Sequence, residues 1–218
     1  MKPSAALLID LENFYRSRLD HFHNAGVRPE SRPSLGDDLA VLVRHARRAV
    51  GLPFAVTRAY ADFHALGAGP QEVMRQGVEP VQVFRLSGRA ASKNAADMKL
   101  AMDAVALLCD GGHVEHVVLV SGDADFIPVV LELKRRGAAV SVVAVSGATS
   151  ELLPRFVDQF ELFEALEQAD ADVGEGRAPA DHRPLTPLSP SGSTKVKLAQ
   201  AGDPGAAPHT PEHYRRLL

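Results

Sequence analysis

Residues 117–126 read VVLVSGDADF, a valine-rich run that stops at Ser121-Gly122 and then sets Asp123 and Asp125 one residue apart. The run is short and apolar throughout, the pattern of a strand buried on both faces of a parallel sheet. Ligands of such sheets bind just beyond the carboxyl ends of the strands, so the two aspartates stand where chemistry is usually done. Asp125 by itself also suits the cap of a helix beginning near Phe126. Asp123 needs a further reason: one cap does not require two carboxylates, and adjacent anions repel unless a cation or a shared proton offsets them. A divalent metal ion is such an offset.

Two further acidic points belong with these. Asp10 ends the apolar run AALLI as Asp123 ends VVLV, and in a parallel sheet such strand ends converge on one edge. The run Asp10-Leu11-Glu12-Asn13 thus brings a carboxylate and a hydrogen-bonding amide to that edge, although an N-cap is the competing role for Asp10. In KNAAD, Lys93 and Asp97 stand four apart and share one face near a helix N-terminus. An ordinary ion pair is the plainer reading, but Asp97 and Asp103 lie among Ala, Met, Leu and Val, where carboxylates rarely go unpaired. Asp103 has an alternative partner in Lys99. Carboxylates gathered without cysteines or a histidine pattern are hard oxygen ligands, which favour Mg²⁺ or Mn²⁺ over Zn²⁺ or Cu²⁺. Such an ion can activate a water and neutralise a phosphodiester, with Lys93 placed to meet a phosphate.

The elements that must position these residues follow from period and punctuation. AALLI, FAVTRAYA, VQVF, HVVLV and AVSVVAV read as strands separated by helical stretches, which makes the chain α/β. LAVLVRHARRAV has amphipathic spacing and a start at Asp37 or Asp38. ASKNAADMKLAMDAVALLCDGG is apolar almost all round and predicts a largely buried helix stopped by its glycines. FIPVVLELKRRG predicts a helix with Lys134, Arg135 and Arg136 in its last turn and Gly137 as terminator. After about residue 168 apolar periodicity vanishes and seven of the 15 prolines appear, the composition of a tail or linker. Its end, TPEHYRRLL, resembles the start of a capped helix, with Thr210 as cap.

Composition narrows the class. At 218 residues, 45% hydrophobic and 23% charged, the chain can bury one substantial core. A formal charge of −3 argues against a bulk basic nucleic-acid binder without excluding a local patch. The single cysteine, Cys109, rules out an intramolecular disulfide and a cysteine-based zinc cluster, fits a reducing compartment, and is expected to be buried packing. The five apolar residues before Asp10 are too few for a signal peptide, and no later run approaches membrane-spanning length, so a cytoplasmic location is expected. The histidines show neither catalytic partners nor ligand spacing. No Gly-rich phosphate loop, nucleophile elbow or Walker signature occurs.

Taken together, IDLENF, the Tyr60-Ala61-Asp62-Phe63 stretch, KNAADMKLAMDA and LVSGDADFIPVVLELKRRGAAV, in that order, resemble NYN domains. These are PIN-like metal-dependent ribonucleases, with a LabA-type bacterial branch, and the resemblance spans roughly residues 4 to 165. LLPRFVDQFELFEAL is similar to the family's closing segment, where a helix precedes a short strand carrying a Phe. The resemblance implies a three-layer α/β/α sandwich around a mainly parallel sheet over residues 1–168. It also implies a catalytic and metal-binding set of Asp10, Asp97, Asp123 and Asp125. Asp103 follows as a lesser ligand, and Asn13, Lys93 and Ser121 lie on the substrate side. The family's D-G-E-N or D-x-x-N is Asp-Leu-Glu-Asn here, which keeps the first Asp and the Asn.

The implied function is hydrolysis of RNA phosphodiester bonds with Mg²⁺ or Mn²⁺. Two other readings compete: a non-cleaving RNA-binding or regulatory module of the same fold, and a phosphatase of small phosphoesters. The partners carried forward are RNA, a second copy in a homodimer, and a protein recruited by the tail.

Overall fold

The apolar runs of the sequence become a single sheet because each is too short for a helix and is flanked by chain reversals. The computed structural model describes residues 2–67, 69–84, 94–109 and 113–174. Among these, strands β1 (Ser4–Asp10), β2 (Phe54–Ala61), β3 (Glu79–Gln82), β4 (Val114–Val120), β5 (Ala139–Ala144) and β6 (Gln159–Leu162) pair in the order β3-β2-β1-β4-β5-β6. Every pairing is parallel. The helices are α1 (Leu11–Asn24), α2 (Leu35–Val50), α3 (Phe63–Leu66), α4 (Pro70–Arg75), α5 (Ala95–Cys109), α6 (Ile127–Arg135) and α7 (Phe163–Gly174).

Strand alternation divides the core into two layers. Leu7 and Ile9 of β1 and Val118 and Val120 of β4 pack with Phe14, Leu39 and Phe163 from α1, α2 and α7. Ala6, Leu8, Val117 and Leu119 face the other way, toward Leu100 of α5 and Val130 of α6. The result is the expected three-layer α/β/α sandwich. Side chains alternate with period two along a strand, so Asp10 and Ser121, next in phase after Leu8 and Leu119, belong to the α5 layer. The chain leaves β1 toward β2 and β3, then returns across to β4 on β1's other side. The switch point of the sheet therefore lies between β1 and β4, and ligands of open α/β sheets bind at such a crevice.

Several local expectations need correction. α2 does not begin at Asp37 or Asp38 but at Leu35, because Ser34 accepts from the Asp37 backbone N–H while Asp37 accepts from that of Ser34. Asp38 is buried instead, where it receives two hydrogen bonds from Arg18. The strand expected over residues 81–84 runs two residues earlier, set by pairing with Arg58–Ala61, and Phe84 is left exposed. α5 is not a largely buried helix. Only Ala96, Leu100 and Ala104 of it are buried, while Met98 and Met102 are 64% and 67% exposed. It covers the sheet with one face and forms the outer layer with the other. Cys109 lies on that outer side, exposed, with its Sγ 3.1 Å from Arg136 Nη1.

Arg18 knits α1, α2 and α7 together. It is 1% exposed, sandwiched between the rings of Phe22 and Phe163 at 4.3 and 4.5 Å, and donates to Asp38 and Glu167. A buried guanidinium is tolerated only with such partners. β6 carries Phe160, as the resemblance implied, but only the 3₁₀ turn Leu153–Arg155 stands before it where a helix was expected, and the α-helix, α7, follows the strand. The tail beyond residue 174, its terminal helix and Lys93 lie outside the described residues. No helix among the described residues is long and apolar enough to cross a membrane.

Candidate active site

Asp10 closes β1 and opens α1, so one side chain serves two elements. Its Oδ1 accepts from the Asn13 backbone N–H at 3.1 Å, which makes it the helix N-cap, and its Oδ2 accepts from the Ser121 hydroxyl at 3.1 Å. The two roles weighed for it in the sequence are compatible: capping fixes the carboxylate, and the strand end puts it at the crevice. Asp10 is only 2% exposed. Burial, then the nearby charges of Asp97 and Asp123, push its carboxyl up to about 7, against the opposing hydrogen bonds from Asn13 and Ser121.

The SGDAD loop is built around those contacts. Ser121 Oγ, besides donating to Asp10, accepts from the Asp123 backbone N–H at 3.3 Å. Asp123 Oδ1 accepts from the Asp125 N–H at 2.9 Å and caps the 3₁₀ turn Ala124–Phe126, after which Pro128 lets α6 start uncapped. Asp125 does not cap α6 as expected: the capping carboxylate is that of Asp123, which accepts from Asp125 N–H and caps the 3₁₀ turn ahead of the helix. Asp125 itself is exposed at the rim. Asn13 Oδ1 accepts from the Gly122 N–H at 3.2 Å, so this amide joins α1 to the loop, with its oxygen engaged by backbone.

Asp97 lies half-buried in the first turn of α5, and its charge is felt at Asp10. Asp103 points elsewhere. It accepts from Lys99 at 2.5 Å and from the Tyr60 hydroxyl at 3.1 Å, with Arg58 Nη1 at 3.6 Å. Six residues along α5 is about 9 Å of helix, so Asp97 and Asp103 serve different places. Of the roles weighed for Asp103, pairing with Lys99 is the one its contacts express. Burial and Asp103's charge raise the Tyr60 hydroxyl's pKa, keeping it a donor. Among the described residues, no three His, Cys, Asp or Glu side chains converge closely enough to hold a metal ion as they stand.

Two residues of the site's frame were not singled out from sequence. Glu12 is buried; its Oε1 accepts from the Asp62 backbone N–H at 2.9 Å and its Oε2 pairs with Arg16, which ties the start of α1 to the end of β2. Its only sequence signal is its place between Asp10 and Asn13. Gly122 is needed because a Cβ there would lie 2.6 Å from the carbonyl oxygen of Ala148. The crossing of residues 147–150 over the loop, where Ser150 N–H donates to Gly122 O, leaves no trace in local sequence.

Among curated proteins none matches this chain. A crystal structure of a protein of unknown function from Vibrio parahaemolyticus is similar to it, with a TM-score of 0.54 and 24% identity over 74% of this chain and 93% of that one. That likeness speaks for the fold alone. The model of the NYN domain, a PIN-like nuclease domain, matches residues 4–164, a span that runs from β1 through Asp10, Asp97 and the SGDAD loop into α7. The chain belongs to the NYN domain family.

Proposed function

We propose that this protein is a metal-dependent ribonuclease whose working carboxylates are Asp10, Asp97 and Asp123, with Asp125 at the rim and RNA as substrate. The observation that carries this reading is the buried Asp10 at the sheet's switch point, with the charges of Asp97 and Asp123 acting on it from two other elements. Such a cluster is unfavourable on its own, and a hard divalent cation is the partner its donor chemistry fits. Asp10 and Asp123 would hold Mg²⁺ or Mn²⁺, with Asp97 completing the set; an ion bound there supplies charge neutralisation at a phosphodiester and a more acidic water. The chain's own contribution is positioning. Asn13 N–H and Ser121 Oγ–H fix both oxygens of Asp10, and the 3₁₀ cap fixes Asp123. The free cysteine agrees with work in a reducing, cytoplasmic setting.

A second reading, a non-cleaving RNA-binding module, is favoured by one observation: no three ligands are already converged among the described residues. The deciding experiment follows Mn²⁺-dependent cleavage of end-labelled RNA, with a small phosphomonoester as control and Mn²⁺ binding measured in parallel. Cleavage of RNA but not the monoester, lost in Asp123→Asn, supports the nuclease. RNA and Mn²⁺ binding without cleavage supports the module.

A further inference from the structure

The sheet carries an opening at its β2 edge. β2 pairs with β1 along its length from Phe54, yet it pairs with β3 only from Arg58 to Ala61. The outer edge of Phe54–Thr57 therefore has no strand beside it among the described residues. The cause is local: α4 ends at Arg75, Gly77 turns the chain with φ +73°, and β3 first meets β2 at Glu79. What remains is a groove of about 500 Å³ lined by residues 52–58 together with Arg47, Gly77 and Glu79.

An open strand edge presents unpaired N–H and C=O groups that an added strand can satisfy. Proteins usually protect such edges, and peptide-binding domains exploit them by β-augmentation. The charge around this groove selects among occupants. Arg58 is engaged by Glu79 at 2.7 Å, so these two charges offset each other. Arg47 on α2 is exposed and makes no hydrogen bond or ion pair among the described residues. Its Nη2 comes within 3.9 Å of where a side chain on Gly77 would begin, so it leans over the groove. A nucleic-acid backbone offers phosphate acceptors and, in RNA, 2′-hydroxyls, at a spacing that does not match the alternating N–H and C=O ladder of a strand edge.

We propose that this notch is a peptide-binding site. It takes a short extended segment that continues the line of β3 along Phe54–Thr57 and sets a carboxylate, a side chain's or a C-terminus, against Arg47. The site lies at the amino-terminal half of β2, away from the carboxyl-edge acids, and does not depend on the nuclease reading.

The test uses the full chain and a fluorescein-labelled hexapeptide of alternating Val and Thr ending in Asp with a free C-terminus. The expected result is saturable binding, with amide shifts in the NMR spectrum centred on residues 54–57. Arg47→Glu should weaken binding about tenfold or more, the factor a charge-assisted hydrogen bond supports. N-methylation of alternate peptide nitrogens should abolish it, and this arm leaves the protein unaltered. Equal binding of a Lys-ended peptide with an amidated C-terminus, indifference to Arg47→Glu in a chain with an unchanged melt, or shifts elsewhere would overturn the proposal. So would protection of the same amides by RNA alone, or by self-association that sedimentation shows to depend on chain concentration.

Discussion

Ser121 donates its hydroxyl to Asp10 Oδ2 at 3.1 Å, across 111 residues of sequence and the seam between β1 and β4. Ser121 Oγ in turn accepts from the Asp123 backbone N–H, so one buried hydroxyl sets the position of two carboxylates. Replacing it by Ala leaves Asp10 Oδ2 without its donor. Ser121→Ala is expected to lower stability by about 1–3 kcal/mol, the cost of an unsatisfied buried group, and to raise the Asp10 pKa further. Thermal melts and carbon-13 titration of the Asp10 carboxyl check both.

Asp10 also gives the metal-free chain a pH signature. Its carboxyl titrates at about 7 when folded against an ordinary 3.8, so between those values the folded chain holds a proton that the unfolded chain has released. Linkage then makes Asp10's contribution greatest below about pH 4, and it is lost as pH rises toward 7. In EDTA, the unfolding free energy of Asp10→Asn relative to the parent, from denaturant titrations, should improve from pH 5 to pH 8 by a few kcal/mol at most, about 1.4 kcal/mol per pH unit crossed. A constant difference across that range would refute the electrostatic picture of the site.

Asp123→Asn separates charge from capping. The Asn oxygen can still accept from Asp125 N–H, so the metal-free melt should be equal to or above the parent's as repulsion on Asp10 is relieved. Mn²⁺-dependent cleavage should fall by more than the roughly 10–100-fold that loss of a supporting outer partner costs at a metal site. Asp123→Ala should in addition lose about 0.5–2 kcal/mol of capping.

Gly122→Ala tests the close crossing of the loop by residues 147–150. With a Cβ 2.6 Å from Ala148 O, the backbone must shift, at a cost of about 1–3 kcal/mol for such overpacking. The displacement reaches Ser121 and Asp123 directly, so cleavage should drop while Mn²⁺ binding weakens; a calorimetric titration with Mn²⁺ reads the second effect.

Arg18→Met tests the ionic knot away from the site. It strands Asp38, whose carboxyl burial already pushes up to about 6, together with Glu167, and the expected loss is about 3–5 kcal/mol. Cleavage below the lowered melting temperature should be retained, which distinguishes this scaffold role from that of the acids.

What the sequence by itself determined is everything carried by short-range period and composition. The runs AALLI, FAVTRAYA, HVVLV and AVSVVAV are strands because they are apolar, short and rich in β-branched or small residues, and Asp10 and Asp123 end two of them. Tertiary structure decided the rest, because it depends on which strands become neighbours. Strand order β2-β1-β4 brings Ser121 to Asp10, and the placement of α5 brings Asp97's charge to the same point while sending Asp103 to Lys99 and Tyr60. An apolar helix such as α5 carries no mark of which face meets the sheet, so Met102 and Cys109 read as core and lie outside it. Caps divide in the same way. Ser34 and Asp37 stand at capping-box spacing, yet the burial of Asp38 against Arg18, itself held between Phe22 and Phe163, follows only from three helices meeting on one side of the sheet.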